Sequence, residues 1–242
     1  MGNDYRLYDL LDSPFCLKAR ICLSLKQVPY QRIGLTLARR SELKRLSPLA
    51  KVPVLLANGE TVADSSRIAL FLEQKAPKPA LIPRTVEERA WAHLIEEWAD
   101  ESLSFVVGFF KWLNPANRER AYELTAELAG KLPRGAILPL VRRQIVRRYA
   151  ASGFVAGSLP HFEERMGENL VHLRDMLGDK PFLLGKYATL ADIAVFAQLE
   201  WMSRYQEKRL LDAVPEVRTW MERLSGLDEI QQAIRGESPI RV

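Results

Sequence analysis

The sequence predicts an α/β domain at the N-terminus followed by an all-α domain. Three observations lead to this prediction. Residues 1–76 alternate short strand-like and helical segments, residues 77–85 contain three prolines, and residues 86–242 carry apolar residues at helical spacing almost throughout. A chain of 242 residues is long enough for two domains of ordinary size, with residues 77–85 as the linker between them.

The first domain is predicted to be a small mixed sheet with helices packed on it. Ser13-Pro14 marks the start of its first helix, because serine caps free backbone N–H groups and proline is favoured at the first helical position. Asn58-Gly59 predicts a tight hairpin between two strands. We expect strands over 5–10, 30–35, 52–56 and 60–63, and helices over 13–26, 40–46 and 65–74. This series is too short for a doubly wound dinucleotide-binding sheet.

The second domain is predicted to be helical from residue 86 onward. The first helix runs from Val86 to Leu113 and ends at Asn114-Pro115. Further helices are expected over 118–131, 136–151, 160–178, 189–206 and 215–225.

Composition indicates an ordinary globular protein, with 48% hydrophobic and 27% charged residues. Two cysteines, Cys16 and Cys22, are too few for a secreted disulfide framework. Neither a signal peptide nor a membrane-spanning segment is apparent, so we expect a cytoplasmic protein with no membrane partner. The three histidines are scattered, at His93, His161 and His172, and predict no metal site.

The positive charge is concentrated near the N-terminus. Residues 1–80 contain 13 Lys and Arg against 7 Asp and Glu, which suits an anionic small molecule, a nucleic acid or an acidic protein. The charge is not accompanied by a zinc-finger spacing or an RNA-binding signature, so a nucleic-acid partner is not expected.

Four separated motifs resemble those of the glutathione transferase superfamily. Ser13-Pro14-Phe15-Cys16 opens the first helix, and Lys51-Val52-Pro53-Val54-Leu55 has the form of the family's Val-Pro turn, whose proline is cis. Asp64-Ser65 resembles its acidic-Ser pair at a helix start, and Thr189-Leu190-Ala191-Asp192 resembles its C-terminal capping box. The resemblance covers nearly the whole chain. It implies a thioredoxin-like glutathione-binding domain over 1–76 and an all-helical domain over 86–242, similar to tau-like and other serine-type members.

The resemblance also implies binding roles for the first three motifs. A helix N-terminus favours an anion, and the Ser13 hydroxyl would donate to the glutathione thiolate. Val52, before cis Pro53, would pair with the cysteinyl backbone, while Asp64 and Ser65 would hold the γ-glutamyl amine and carboxylate. The glycine carboxylate is assigned to two basic residues, Arg40 and Lys51.

The same residues have structural alternatives. Ser13 and the Asp64-Ser65 pair also fit ordinary helix capping, and Pro53 also fits a strand edge. The family usually has Glu at the position of Asp64, and the shorter side chain weakens the assigned amine contact. Thr189 with Asp192 is structural on either interpretation, because the pair caps a helix reciprocally.

Aromatic residues of the helical domain are the candidates for the pocket of a second substrate. Family geometry implies that part of this aromatic surface faces the glutathione sulfur, and an apolar pocket suits a small hydrophobic electrophile. The candidates are Phe105, Phe109, Trp112, Trp201 and Tyr205, although aromatic stripes also occur in cores. The resemblance further implies a homodimer.

Two other functions stay open. Cys16 lies in the first helical turn with Lys18 and Arg20 nearby, so a lowered thiol pKa would support thiol-disulfide exchange with glutathione. The alternative for Cys16 is a small buried apolar side chain. The segment 114–160 is longer than usual and carries Arg142-Arg143 and Arg147-Arg148, which fit either a non-catalytic binding protein or a solvated helix surface.

Overall fold

The N-terminal region forms a four-stranded mixed sheet in the computed structural model, which describes residues 4–239. The strands are β1 (Tyr5–Asp9), β2 (Gln31–Gly34), β3 (Val54–Ala57) and β4 (Glu60–Ala63), in the order β2-β1-β3-β4. Strand β1 runs parallel to β2 and antiparallel to β3, and β3 and β4 form the predicted hairpin. With the helical region that follows, the sheet confirms the predicted fold class.

Three helices accompany the sheet. They are α1 (Pro14–Leu25), α2 (Arg40–Leu46) and α3 (Ser65–Lys75). Ser13 caps α1 and Pro14 takes its first position, as predicted. Asp64 caps α3 by accepting from the N–H groups of Ser66 and Arg67 at 2.9 and 3.1 Å.

The rest of the described chain is helical. Its helices are α4 (Val86–Trp98), α5 (Ser104–Leu113), α6 (Arg118–Leu124), α7 (Arg134–Ala151), α8 (Leu159–Leu177), α9 (Leu190–Met202), α10 (Lys208–Asp212), α11 (Pro215–Ser225) and α12 (Asp228–Arg235). Through residues 4–239 we find no helix with both the length and the apolar character needed to cross a membrane.

The helices differ from the prediction in several places. A π-helical turn over Ala99–Leu103 separates α4 from α5, so the predicted helix from Val86 to Leu113 is interrupted. The helix predicted over 118–131 ends at Leu124 and is followed by a three-ten turn. The helix predicted over 189–206 ends at Met202, and helices α10 and α12 were not predicted.

Helix α9 lies at the centre of the molecule. It is apolar on all sides, and every residue of the helix except Glu200 is buried. It contacts α1 on one side and α4 and α5 on the other, so one apolar core connects the two regions. The boundaries at 76 and 85 stay a prediction, since α12 packs back against α1.

The basic residues Lys18 and Arg20 of α1, and Lys26 directly after it, are buried. Lys18 pairs with Glu96 and Asp100, Arg20 pairs with Asp9, and Lys26 pairs with Glu73. The cause is that α1 is covered by α3, α9 and α12, so little of its circumference faces water. Each cation is therefore matched to a carboxylate, as burial requires.

The start of α9 confirms the predicted capping box. The Asp192 carboxylate accepts from the N–H and the hydroxyl of Thr189, both at 2.9 Å. It also accepts from the N–H of Leu183 at 2.9 Å and from Nε1 of Trp220 at 3.1 Å. This carboxylate therefore fixes a loop and a neighbouring helix in addition to capping its own helix.

Candidate functional site

Three segments of the chain meet at one end of the sheet. Tyr8 of β1 pairs with Val54 of β3, and Val54 pairs with Ala63 of β4. The carboxyl end of β1, the amino end of β3 and the carboxyl end of β4 are therefore neighbours. This register brings together the segments that contain Ser13, Val52-Pro53 and Asp64-Ser65.

Ser13 lies at the start of α1 and is half-buried. Its Oγ accepts from the N–H of Cys16 at 3.4 Å, a long hydrogen bond, and its own N–H donates to the carbonyl of Leu10 at 3.0 Å. In this cap the Ser13 oxygen is the hydrogen-bond acceptor, so the cap does not occupy the hydrogen of the hydroxyl. Ser13 is therefore able to donate to an anion placed at the helix N-terminus.

The Val52-Pro53 bond is cis, as predicted. Val52 is half-buried and Pro53 is buried, and the carbonyl of Pro53 accepts from the N–H of Asp64 at 3.3 Å. This hydrogen bond joins the Val-Pro turn directly to the start of α3. The two motifs, which are separated in sequence, form one surface.

Asp64 and Ser65 begin α3 in an unusual backbone conformation. Asp64 has a φ of 86°, in a region that non-glycine residues rarely adopt and that recurs at functional sites. Ser65 is 1% exposed, and its Oγ has no hydrogen-bond partner among residues 4–239. A buried hydroxyl without a partner is costly, so a bound polar group would relieve it.

The two basic candidates for the glycine carboxylate are exposed. Arg40 is the first residue of α2, and Lys51 precedes the Val-Pro turn. Neither residue makes an ion pair with another part of the described chain. Both charges are therefore available to a ligand.

Cys16 is fully buried, and its Sγ accepts from the N–H of Leu10 at 3.4 Å. Burial raises the pKa of the thiol, and the Asp9 carboxylate adds to the rise while Arg20 and Ser13 oppose it. Desolvation of the thiol therefore outweighs the lowering effects of the Arg20 charge and the Ser13 hydrogen bond, which does not favour the lowered pKa that the oxidoreductase alternative requires. Burial also raises the pKa of Cys22, to about 12.

A buried ionic network lies behind the start of α3. The Lys18 ammonium contacts Glu96, Oδ2 of Asp100 at 2.5 Å and Oγ of Ser66 at 3.0 Å, and Ser66 also donates to Glu96. Burial raises the pKa of Asp100 to about 6, against the opposing effect of Lys18. The network joins α1 and α3 to α4 and the π-helical turn, so it holds Ser65 against the helical region.

Asp12, immediately before Ser13, is a buried junction that the sequence did not reveal. Its carboxylate pairs with the Lys111 ammonium and accepts from Oγ1 of Thr125 at 3.1 Å and Nε1 of Trp201 at 2.9 Å. Burial lowers the pKa of Lys111, an effect that Asp12 opposes. The sequence offered one clue to the importance of Asp12, its position beside Ser13, but no local sequence pattern predicts that Asp12 pairs with Lys111.

The segment after α6 also reaches the N-terminal region. Glu127 accepts from the N–H of Leu11 at 3.2 Å and forms two hydrogen bonds with Arg32, at 2.6 and 2.7 Å. Together with Thr125 on Asp12, these contacts fasten the segment to the loop that contains Ser13. Part of the predicted extension over 114–160 therefore builds the surroundings of the site.

The aromatic candidates occupy two different places. Phe105 and Phe109 belong to the helical core: Phe109 is fully buried, its ring lies 4.0 Å from that of Phe162, and Phe105 packs on Tyr149 at 4.7 Å. This packing does not support a pocket role for either ring.

The other three aromatic candidates lie close to Asp12. The Lys111 ammonium sits 4.5 Å from the Trp112 ring and 4.9 Å from the Trp201 ring, and the Trp201 and Tyr205 rings are 6.3 Å apart. All three side chains are largely buried. Through Asp12 they are connected to the loop that contains Ser13.

The arrangement is suited to an anion with several polar groups. It combines a helix start with a hydroxyl donor, a turn with backbone groups, a second helix start with a buried serine, and exposed basic residues. These are the chemical features that a thiolate, a peptide backbone and two carboxylates require.

Comparison with known proteins identifies the family. Residues 7–80 match the glutathione S-transferase N-terminal domain, and residues 140–223 match the glutathione S-transferase C-terminal domain. The protein Failed axon connections of Drosophila melanogaster is 26% identical over 79% of this chain and 47% of its own length. The chain thus spans about half the length of that relative.

Two further likenesses extend over most of the chain. Glutathione S-transferase U7 of Arabidopsis thaliana is 24% identical over 98% of this chain and 89% of its own length. The crystal structure of the beta-etherase LigF from Sphingobium sp. strain SYK-6 superposes with a TM-score of 0.73, covering 96% of this chain and 99% of its own, at 20% identity. At that identity the superposition shows a shared fold. The chain is therefore a member of the glutathione transferase superfamily.

Proposed function

We propose that this protein binds glutathione at the end of the sheet and activates its thiolate for attack on a small hydrophobic electrophile. The observation that carries the proposal is the convergence of Ser13, the cis Val52-Pro53 turn and Ser65 on one surface, through the strand register. The unpartnered hydroxyl of Ser65 supports a polar ligand at this place.

Each part of glutathione has a partner in this proposal. The Ser13 hydroxyl donates to the thiolate at the start of α1, and the backbone of Val52 pairs with the cysteinyl residue. Ser65 receives the γ-glutamyl carboxylate, and Asp64 receives the amine. The exposed cations of Arg40 and Lys51 attract the glycine carboxylate.

The contact of Asp64 with the γ-glutamyl amine is the weakest of these assignments. Its Oδ1 already accepts from the N–H groups of Ser66 and Arg67, so only part of the carboxylate is free for the γ-glutamyl amine. We therefore assign the larger share of the γ-glutamyl binding to Ser65.

The electrophile pocket is proposed at Trp112, Trp201 and Tyr205, which are connected to Ser13 through Asp12. The relatives carry names of different activities, including a transferase and a beta-etherase, so likeness does not choose the reaction. Conjugation is favoured here because serine, which stabilises the thiolate of glutathione without a covalent enzyme intermediate, occupies the first position of the motif.

The two alternatives predict different behaviour. A thiol-disulfide oxidoreductase would need a reactive Cys16, and burial with a raised pKa argues against it. A non-catalytic binding protein would not need Ser13 and Ser65 arranged around an anion site. Retention on immobilised glutathione separates that alternative from the other two functions.

The decisive experiment compares Ser13→Ala, Ser13→Cys and Cys16→Ser in two assays over a range of pH. Ser13→Ala is expected to raise the pKa of bound glutathione and to reduce aryl-halide conjugation at neutral pH about tenfold or more, since 1.4 kcal/mol corresponds to a factor of ten. Cys16→Ser is expected to change little. Ser13→Cys is expected to introduce reduction of mixed disulfides. Loss of disulfide reduction in Cys16→Ser but not in Ser13→Ala would contradict the proposal.

We also propose a cytoplasmic homodimer. Trp91 and Leu94 project from α4 and are 51% and 62% exposed, and Leu70 of α3 is 39% exposed. Exposed apolar side chains of this size on α3 and α4 suit contact with a second subunit. Sedimentation at micromolar concentration is expected to give a dimer, and Trp91→Glu is expected to give a monomer. An unchanged mass in Trp91→Glu would place the interface elsewhere.

A further inference from the structure

A basic cavity lies where the chain after α9 meets the start of α6. Its volume is about 470 Å³, within the usual range for small-molecule sites. Four of the residues that line it are basic: Arg120, Arg204, Lys208 and Arg209. Asp212 is the acidic residue in the lining, so the cavity attracts an anion.

Tyr205 lines this cavity and has an unused hydroxyl. The side chain is 5% exposed, and its Oη makes no hydrogen bond within the described part of the chain. Burial raises the pKa of this hydroxyl, and the nearby charges of Arg204 and Arg120 oppose the rise. The hydroxyl therefore keeps its proton and is a buried donor without an acceptor among the described residues, near the charges of Arg204 and Arg120.

The cations of the cavity differ in how far they are already neutralised. Arg209 pairs with Glu163 at 2.5 Å, so its positive charge is already neutralised. Arg204 has looser contacts, 3.4 Å to Glu200 and 4.0 Å to Asp12. Lys208 forms no ion pair with any residue between 4 and 239. Arg120 pairs with Glu123 at 3.1 Å. Lys208 therefore has no carboxylate partner in the described part of the chain, and Arg204 is the most loosely paired of the other cations beside Tyr205.

The loop that contains these residues is held by a buried polar network. Glu207 accepts from Nδ2 of Asn114 at 2.6 Å and from Nδ2 of Asn117 at 2.7 Å. Oδ1 of Asn117 in turn accepts from the N–H of Gln206 at 3.0 Å. The network positions the residues on either side of it before any ligand arrives, which lowers the entropic cost of binding.

We propose that this cavity binds the carboxylate of a small organic acid. Arg204 and Lys208 supply the charge, and the Tyr205 hydroxyl donates to one carboxylate oxygen. A singly charged group is favoured over phosphate, because Asp12 and Asp212 lie close to the same cations and would repel a second negative charge. Tyr205 is shared with the electrophile pocket proposed above, so the two sites adjoin at this residue, but carboxylate binding here does not depend on glutathione binding at Ser13.

The test is calorimetric titration of the full chain with benzoate, in parallel with inorganic phosphate. Benzoate is expected to bind saturably with a Kd of about 1 mM or lower, and phosphate at least about tenfold more weakly. Tyr205→Phe and Arg204→Gln are each expected to weaken benzoate binding about tenfold. No saturable binding at about 10 mM benzoate, or equal affinity for phosphate, would overturn the proposal.

Thermal unfolding without ligand gives an independent readout. Tyr205→Phe is expected to unfold at the same or a higher temperature than the original protein, because the hydroxyl it removes has no partner. Tyr149→Phe is the matched control: it removes a hydrogen bond of 2.9 Å to the carbonyl of Phe105, so it should lower stability and leave benzoate affinity unchanged.

Arg209→Gln is the second control, since it removes a paired cation from the same cavity and should leave benzoate affinity nearly unchanged. If Tyr205→Phe destabilises the protein or binds benzoate as the original does, the hydroxyl has another role and the proposal is wrong.

Discussion

The starts of α9 and α3 use similar residues in different ways. At the start of α9, the Asp192 carboxylate accepts four hydrogen bonds, from Leu183, Thr189 and Trp220, and is fully buried. At the start of α3, Asp64 is exposed and Ser65 keeps a hydroxyl with no partner within the described residues. A cap whose hydrogen bonds are all satisfied stabilises the fold, whereas a helix start with an unsatisfied hydroxyl is suited to binding. The two kinds of helix start are therefore expected to respond differently to substitution.

The largest expected effect is on the saturated cap. Asp192→Ala leaves buried donors on Leu183, Thr189 and Trp220 without acceptors, and should lower the free energy of unfolding by about 3–5 kcal/mol. Chemical denaturation measures this loss. Asp192→Ala molecules that remain folded should bind glutathione with unchanged affinity. Weaker glutathione binding by the folded variant would contradict the distinction between the two kinds of helix start.

A pH effect is expected from the network behind the start of α3. The pKa of Asp100 is about 6 in the folded protein and near 3.8 when exposed, so the folded state holds this proton more tightly. Stability from this group is therefore present at low pH and falls as pH rises from about 4 to 6, by up to about 3 kcal/mol.

Asp100→Asn isolates this contribution. Relative to the variant, the original protein should lose stability across the same pH interval in denaturant titrations. A stability difference that is constant with pH would show that Asp100 does not titrate there.

The unsaturated cap is expected to affect binding without affecting stability. Ser65→Ala removes a hydroxyl with no partner in the described structure, so the free energy of unfolding should stay within about 0.5 kcal/mol of the original. Glutathione affinity should fall by about 1–3 kcal/mol, the cost of a lost hydrogen bond to a charged group. Calorimetry with unchanged affinity would remove Ser65 from the site.

The smallest effect is expected at Cys16, close to the open helix start of α1. Because the thiol is buried and its pKa is raised, iodoacetamide at pH 8 should not modify the folded protein on the timescale on which it modifies the unfolded chain. Mass spectrometry of the two samples measures this difference. Rapid modification of Cys16 in the folded protein would favour the oxidoreductase alternative.

The sequence predicted the features that depend on neighbouring residues. The strands of the sheet, the Asn58-Gly59 hairpin and the capping of α1 and α9 follow from period and turn chemistry within a few residues. The strand register then places Ser13 and Ser65 at one end of the sheet. The residues were therefore accessible from the sequence, whereas the register that brings them together required the structure.

The features that were not predicted depend on distant contacts. Lys18 and Arg20 look like surface residues in a helical pattern, and they are buried because helices far along the chain cover α1. Phe109 and Trp201 are both aromatic residues in helices, and periodicity does not tell which contacts the core and which adjoins Asp12. Asp12 pairs with Lys111, which lies 99 residues further along the chain, and no local sequence pattern predicts this pair.

The return of α12 to the first helix has a consequence for biosynthesis. Arg20 is fully buried, pairs with Asp9 at 2.5 Å and donates from Nε to the carbonyl of Ala233 at 2.7 Å, across 213 positions. While the helical region is still being synthesised, all four strands have already emerged, but this ion pair lacks its cover. Helix α1 therefore reaches its native burial only after α12 has emerged and docked.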